Sequence, residues 1–324
     1  MSDAKTPIVM ALLLWLVSSL AFAQNYPSKP IRWILPFAPG GGTDILSRAF
    51  VPQLSAALGQ PLITDNRPAN AGLVAADSVA KSAPDGYTIM TGGNSSLMFA
   101  KLTYAKLSFD PELDFSHITL LALAPIALYV HESVQAKSLQ EFVAYAKANP
   151  GKLNYGAAGV GHPFHLAMEL LKQRSGIDLL FVPYKGMEPV IQDVVAGRLQ
   201  AMFYPPTSQL LAMIKAGKIR VLAAATPQRL SILPDTPTFD ESGVPNFDAA
   251  GWIGLVAPAG VPRDIVMRLN REVAKIARTP ELAKVYAQLS FEVATGTPEE
   301  FSQRIKRELA AWGPIVKSLG IMLN

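Results

Sequence analysis

The chain has 324 residues, no cysteine, 17 % charged residues and a formal net charge of +4. Without cysteine there are no disulfides, no thiolate catalysis and no cysteine-based zinc sites; scattered lysines and arginines, with no run of five, argue against a nucleic-acid partner. Half of the residues are hydrophobic, enough at roughly 100–200 residues per domain for two lobes, and the mild basicity suits a small anionic ligand.

Residues 1–23 read as a secretory signal peptide. Lys5 is the positive residue of a weak n-region, an apolar run extends from Ile8 to Leu20, and Ala21-Phe22-Ala23 supplies an A-x-A cleavage pattern. The apolar run is shorter than the ~20 residues a spanning helix needs; an uncleaved anchor is the rival reading. Cleavage after Ala23 leaves Gln24 first and the net charge at +4, because Asp3 and Lys5 cancel. A leader on a chain without cysteine fits a bacterial periplasm, and no lipid-bearing cysteine would tether the mature protein.

Beyond the leader, short apolar runs alternate with helical patterns. Ile31–Phe37, Pro61–Asn66, Tyr87–Thr91 and Ile118–Ala122 read as buried strands, with helices at 45–58 and 72–82 between the first three. Pro52 falls inside the first of these helices, where a kink is expected. Ser138-Leu139-Gln140-Glu141 is a capping box opening a helix that stops at Asn149-Pro150-Gly151. The layout then repeats, with strands at Leu153–Ala157, Leu179–Tyr184, Gln200–Tyr204 and Arg220–Ala225 and helices at about 163–175, 187–196 and 207–216. Such alternation predicts an α/β protein with parallel sheets of βαβ units.

Ile126–Val130 and Gly251–Ala257 belong to neither set and read as crossings between two lobes, 24–124 with 251–324 and 125–250. The chain's end reads as two helices that return to lobe one. The first carries an apolar stripe of Ile265, Leu269, Val273 and Ile276. The second opens on the capping box Thr297-Pro298-Glu299-Glu300 and carries Phe301, Ile305, Leu309, Trp312 and Val316.

The candidate ligand loops lie at the carboxyl ends of these strands, where open α/β sheets bind. In the first, Pro36-Phe37-Ala38-Pro39-Gly40-Gly41-Gly42-Thr43-Asp44, a strand, a glycine-rich turn and a helix start follow one another. Glycines let the backbone approach a ligand, and the helix adds the positive end of its dipole. The loop lacks the lysine of a P-loop, since Thr43 follows Gly42 directly, and the G-x-G-x-x-G spacing of dinucleotide folds. A carboxylate is the simpler occupant, and a plain tight turn is the alternative.

Gly92-Gly93-Asn94-Ser95-Ser96, Ala158-Gly159-Val160-Gly161-His162, Tyr184-Lys185-Gly186 and Tyr204-Pro205-Pro206-Thr207-Ser208 complete the set. Two readings stay open for most of the single residues. Thr43 is an N-cap or a ligand contact, Ser95 and Ser96 are turn residues or carboxylate donors, and His162 and His165 are structural or ligand-facing. Lys185 is a solvated lysine or a carboxylate partner, and Tyr204 is a core or a stacking residue. Asp44 favours the helix start and its own backbone rather than an anion. Facing loops on two lobes make a cleft that closes by hinge motion.

Enzyme signals are weak. G-x-S-x-G, H-E-x-x-H and D-x-D-x-D-G are absent, and His117, His131, His162 and His165 lack metal-ligand spacing, so neither a metal nor a cofactor is expected. A Ser/His/Asp site assembled from distant residues stays open.

Nearly the whole mature chain resembles the Bug-type extracytoplasmic solute-binding proteins of tripartite tricarboxylate transporters. The resemblance rests on Tyr26-Pro27-Ser28-Lys29-Pro30-Ile31-Arg32, the Pro36–Asp44 loop, Asp65-Asn66-Arg67-Pro68 and Ala83-Pro84-Asp85-Gly86-Tyr87-Thr88. It continues through Pro150-Gly151-Lys152-Leu153-Asn154-Tyr155-Gly156, Val182-Pro183-Tyr184-Lys185-Gly186, Leu233-Pro234-Asp235-Thr236-Pro237-Thr238 and Gly254-Leu255-Val256-Ala257-Pro258-Ala259-Gly260.

It implies a type II periplasmic-binding-protein fold, two Rossmann-like lobes joined by two crossing strands. It also implies a periplasmic protein, expected as a monomer, that captures a small carboxylate and delivers it to membrane permease subunits. The cleft-lining positions it implies are Phe37, Gly41, Gly42, Thr43, Asn94, Ser95, Ser96, Gly159, Gly161, His162, His165 and Tyr204, with backbone N–H groups, hydroxyls and water on one ligand carboxylate.

Two departures stand out. His162-Pro163-Phe164 replaces the Ser-Thr-Ser common before the family's histidine, and Tyr204 stands where amino-acid binders tend to carry an acid. Both point to a ligand without an ammonium group, an aromatic carboxylate or a dicarboxylate. A sensor that signals to a membrane receptor, and a hydrolase on the same fold, are the competing readings; loss of induction rather than uptake marks the first, turnover the second.

Overall fold

The computed structural model describes residues 26–37, 39–68 and 72–322; the expected leader lies outside the described residues. Ile31-Arg32-Trp33-Ile34-Leu35 is apolar apart from Arg32, and it forms β1 (Ile31–Leu35) in the interior of a sheet, all but Arg32 buried. The chain continues through α1 (Gly42–Leu58), β2 (Leu62–Asn66), α2 (Leu73–Ala80) and β3 (Thr88–Gly93). A π-helical turn, Ser95–Phe99, then runs into α3 (Ala100–Thr103) before β4 (Phe115–Ala124). α1 runs on through Pro52 as one element.

The second run is β5 (Ala127–His131), α4 (Leu139–Ala148), β6 (Asn154–Ala157), α5 (Pro163–Ser175), β7 (Leu180–Pro183), α6 (Met187–Val195), β8 (Ala201–Tyr204), α7 (Ser208–Lys215) and β9 (Ile219–Ala224). The last is β10 (Gly251–Pro258), α8 (Arg263–Ile276), α9 (Pro280–Leu289), β11 (Glu292–Val293) and α10 (Pro298–Ser318).

The strands form two sheets, ordered β11-β4-β10-β3-β1-β2 and β7-β6-β8-β5-β9. β1 pairs in parallel with β2 and β3, and β6 in parallel with β7 and β8. The expectation of wholly parallel sheets needs correction. β10 is antiparallel to both β3 and β4, and β5 is antiparallel to both β8 and β9. These are the two strands read as crossings. Each enters its sheet straight from the other one, with no crossover helix to reverse it, so it runs against its neighbours.

Further elements differ from the sequence reading. The Asn94-Ser95-Ser96 stretch after β3 leads into the π turn instead of a loop. Three helices, not two, follow β10: α9 was not foreseen, and neither was β11.

Capping behaves as the spacing predicts at α10, where Thr297 and Glu300 satisfy each other's backbone N–H groups at 3.1 and 2.7 Å. At α4, Ser138 caps Glu141, but the Glu141 carboxylate returns to Lys137 N. Buried apolar side chains of both sheets, α5 and α10 join in one cluster that includes Met98, Leu166, Phe203, Trp252, Phe301 and Trp312.

Candidate functional site

The glycine turn after β1 is built around Asp44. Its carboxylate is buried, accepting the Gly40 N–H at 3.0 Å, Arg48 Nε at 2.9 Å and Asn66 Nδ2 at 2.8 Å. Asn66 also donates to the Phe37 carbonyl at 3.0 Å, which ties the turn to the end of β2. Burial opposes ionisation of Asp44, and the bonds from Asn66, Gly40 and Arg48 outweigh it, holding the carboxyl below its usual range. The acid therefore shapes the turn from behind, as its sequence reading requires.

Thr43 is not the cap. Gly41 takes that position with extended backbone, no side chain caps α1, and Thr43 is the second helical residue. Among the described residues no side chain accepts from the first-turn N–H groups of α1, the arrangement that anion sites at helix starts use. Below them runs a buried chain of hydroxyls that sequence reasoning missed. Trp33 Nε1 donates to Thr91 Oγ1 at 2.8 Å, Thr91 meets Ser47 Oγ at 2.9 Å, and Ser47 donates to the Thr43 carbonyl at 2.8 Å. It fixes the first turn of α1 against β1 and β3. A serine and a threonine at apolar positions were its only signal.

The other lobe-one positions gather beside this turn. The Phe37 ring approaches Gly93, where an added Cβ would lie 3.9 Å from its Cζ, and Asn94 Oδ1 lies at the same distance from an added Cβ on Gly251, the first residue of β10. Ser95 is half-buried, whereas Ser96 is fully buried with its hydroxyl facing the Gly93 backbone, so Ser95 is the more accessible donor.

The lobe-two positions form a second group. Gly159 and Gly161 hold φ of 95° and 79°, conformations other residues rarely adopt, and they set the loop into α5. His162 is the α5 cap, its Nδ1 accepting the Phe164 N–H at 3.3 Å, and Pro163 occupies the first helical position. His165 is buried, with its Nδ1 accepting the Gly161 N–H at 3.2 Å and its ring 4.1 Å from that of Phe181. Tyr204 ends β8 with its ring edge-on to Phe164. Lys185 is exposed.

Among the described residues no hydrogen bond or ring contact joins the lobe-one positions to His162, His165 or Tyr204. Other contacts do join the two halves. Ser290 donates to the Pro206 carbonyl at 3.2 Å, and a Cβ on Gly161 would lie 3.5 Å from Ile321. Phe291, next to Ser290, covers Gly42 at 3.3 Å from an added Cβ. A cavity of about 420 Å³ opens elsewhere, between α10 and residues 240–248, and no predicted site residue lines it. No group of three or more metal-ligating side chains occurs among the described residues.

Two α/β lobes, two antiparallel connecting strands and small-residue loops at the strand ends define a type II solute-binding protein. Residues 46–321 match the model of the tripartite tricarboxylate transporter family receptor, and the chain belongs to that family. Protein BugT of Bordetella pertussis is 30 % identical over 303 residues, 93 % of either chain. An R. palustris protein solved with adipate is 33 % identical, with a TM-score of 0.72 over 92 % of this chain and 100 % of its own. A TctC solute-binding protein from Polaromonas, solved with no ligand, is 27 % identical, with a TM-score of 0.82 over 90 % of this chain and 99 % of its own.

Proposed function

We propose that the protein binds a small carboxylate between its lobes, in the periplasm and as a monomer, and hands it intact to permease subunits of a tripartite tricarboxylate-type transporter. The observation that carries this reading is the uncapped first turn of α1 behind Gly41 and Gly42. Its N–H groups and dipole suit one carboxylate, and the oxygens of its own acid, Asp44, are already occupied by three donors, one of them the Arg48 guanidinium.

The lobes in this reading are 24–124 with 251–324 and 125–250, a division supported by the membership of the two sheets. Phe37, Gly41, Gly42, Thr43, Asn94 and Ser95 supply the carboxylate end; Gly159, Gly161, His162 and Tyr204 face the ligand body. The ligand is an aromatic carboxylate or a dicarboxylate without an ammonium group, because no acid stands at Tyr204 to receive one.

A thermal-shift panel of carboxylates, their amides and amino acids tests the reading. A rise in Tm with acids and none with the matching amides supports it. Equal shifts with the amides, or hydrolysis of the ligand on long incubation, overturns it.

A further inference from the structure

On the lobe-two side three rings stand in series. His162 is edge-on to Phe164, with centroids 4.8 Å apart and planes at 72°, and Phe164 is edge-on to Tyr204 at 5.6 Å and 75°. The first two come from the start of α5, which follows β6, and the third from the end of β8, so the series joins the carboxyl ends of two adjacent strands.

The bond from the Phe164 N–H to His162 Nδ1 also settles the tautomer. That nitrogen is an acceptor, so the imidazole proton sits on Nε2. Burial, and after it the neighbouring His165, push the His162 pKa down to about 4. His165 is likewise lowered by burial, against the pull of Glu169.

Among the described residues no cation stacks on or hydrogen-bonds to these three rings. Lys172 is held by Glu169 at 2.8 Å, Glu188 at the start of α6 acts on Tyr204, and Lys185 is exposed. A second carboxylate entering here would lose water without gaining an opposite charge. A planar apolar body would gain edge contacts to the rings, and an uncharged oxygen would accept a hydrogen bond from Nε2.

We propose that His162, backed by Phe164 and Tyr204, is the specificity-determining residue of the cleft: the ligand is an aromatic monocarboxylate with a neutral far-end oxygen that accepts the His162 Nε2–H, and aliphatic dicarboxylates are disfavoured. This inference rests on the proposed carboxylate-binding function and narrows its ligand class.

The test is calorimetric titration of the purified protein with 4-hydroxybenzoate, benzoate and adipate between pH 5.5 and 8. The expected result is 4-hydroxybenzoate tightest, benzoate about tenfold weaker for want of one hydrogen bond, adipate weakest, and no change in affinity across the pH range. His162→Asn keeps a capping acceptor and is expected to weaken 4-hydroxybenzoate more than benzoate, so that the preference between them shrinks. ¹⁵N spectra of the histidines should show His162 protonated on Nε2 alone, with that signal moving on binding.

Adipate binding as tightly as 4-hydroxybenzoate, adipate affinity that disappears in Lys185→Ala, or a doubly protonated His162 at pH 6 would each overturn the inference. Silence from all three acids, with amides binding instead, would overturn the carboxylate function beneath it.

Discussion

Trp252 on β10 donates its indole N–H to the Glu308 carboxylate on α10 at 2.7 Å. One turn earlier, Arg304 lies 2.6 Å from the other Glu308 oxygen and 3.0 Å from Asp248. The last helix is thereby bonded to residues on both sides of the point where the chain returns to the six-stranded sheet. A hinge motion at that crossing has to carry α10 with it or break these bonds.

Glu308 makes this junction sensitive to pH. Burial raises its pKa to about 7 and Asp248 adds to the rise, against Arg304 and Trp252, which lower it. A carboxyl raised above its unfolded value of roughly 4.3 stabilises the fold fully below that value, and the contribution is lost as pH rises through about 7. Glu308→Gln keeps an acceptor for Trp252 and does not titrate. Between pH 5 and 8 the wild-type Tm should fall relative to the variant, by the equivalent of at most ~3 kcal/mol. Parallel Tm profiles for the two proteins would contradict this.

The same strand and helix meet at a second point, Gly254 against Phe301. A Cβ on Gly254 would lie 2.3 Å from Phe301 Cζ, and the ring is also bounded by Trp252 and His117, each at 5.2 Å between centroids. Gly254→Ala should lower stability by about 1–3 kcal/mol through overpacking. Phe301→Leu in the same chain should recover part of that loss. Urea midpoints of the single and double variants measure it, and simple additivity of the two losses would rule out the clash as the cause.

The strands were legible because their apolar runs are bounded by glycine, proline and asparagine, and most begin and end within two residues of the expected positions. Strand direction was not, because Ile126–Val130 and Gly251–Ala257 carry the same buried pattern whichever way they run. The π turn was hidden by Ser95 and Ser96, which read as turn residues although Leu97, Met98 and Phe99 behind them are buried. α9 was missed because it is short and buries only Leu282 and Tyr286. At the site, the glycines and the strand ends were visible in order along the chain. The contact of Ser290 with Pro206, 84 residues apart, and the Trp33–Thr91–Ser47 chain leave no local pattern.

Asp44 predicts an effect on the acid side. Its oxygens take all three donors of the turn, and its pKa stands below the usual carboxylate range. A carboxyl lowered in the fold contributes stability above its unfolded value of roughly 3.9, and loses it as pH falls through the folded value. Asp44→Asn turns an acceptor into a donor that faces Asn66 and Arg48. It should cost about 1–3 kcal/mol at pH 7, and the difference in Tm from wild type should shrink below about pH 4. A difference that stays constant down to pH 3 would show that the charge on Asp44 does not hold the turn.

Thr43 separates ligand binding from folding. It occupies the second helical position of α1, half-buried, and its hydroxyl has no hydrogen-bond partner among the described residues. An acid in a first helical turn interacts favourably with the dipole, by about 0.3–1 kcal/mol. Thr43→Asp should therefore leave Tm unchanged or slightly raised without ligand. The same carboxylate would sit where the ligand's own charge belongs, so affinity should fall about tenfold or more, and by less at high salt. Thr43→Ser should bind nearly as wild type does. Calorimetry at two ionic strengths, with whichever of benzoate or adipate binds the wild type, decides the point. Undiminished affinity in Thr43→Asp would place the ligand's carboxylate away from the start of α1, and with it the anchor on which the proposed function depends.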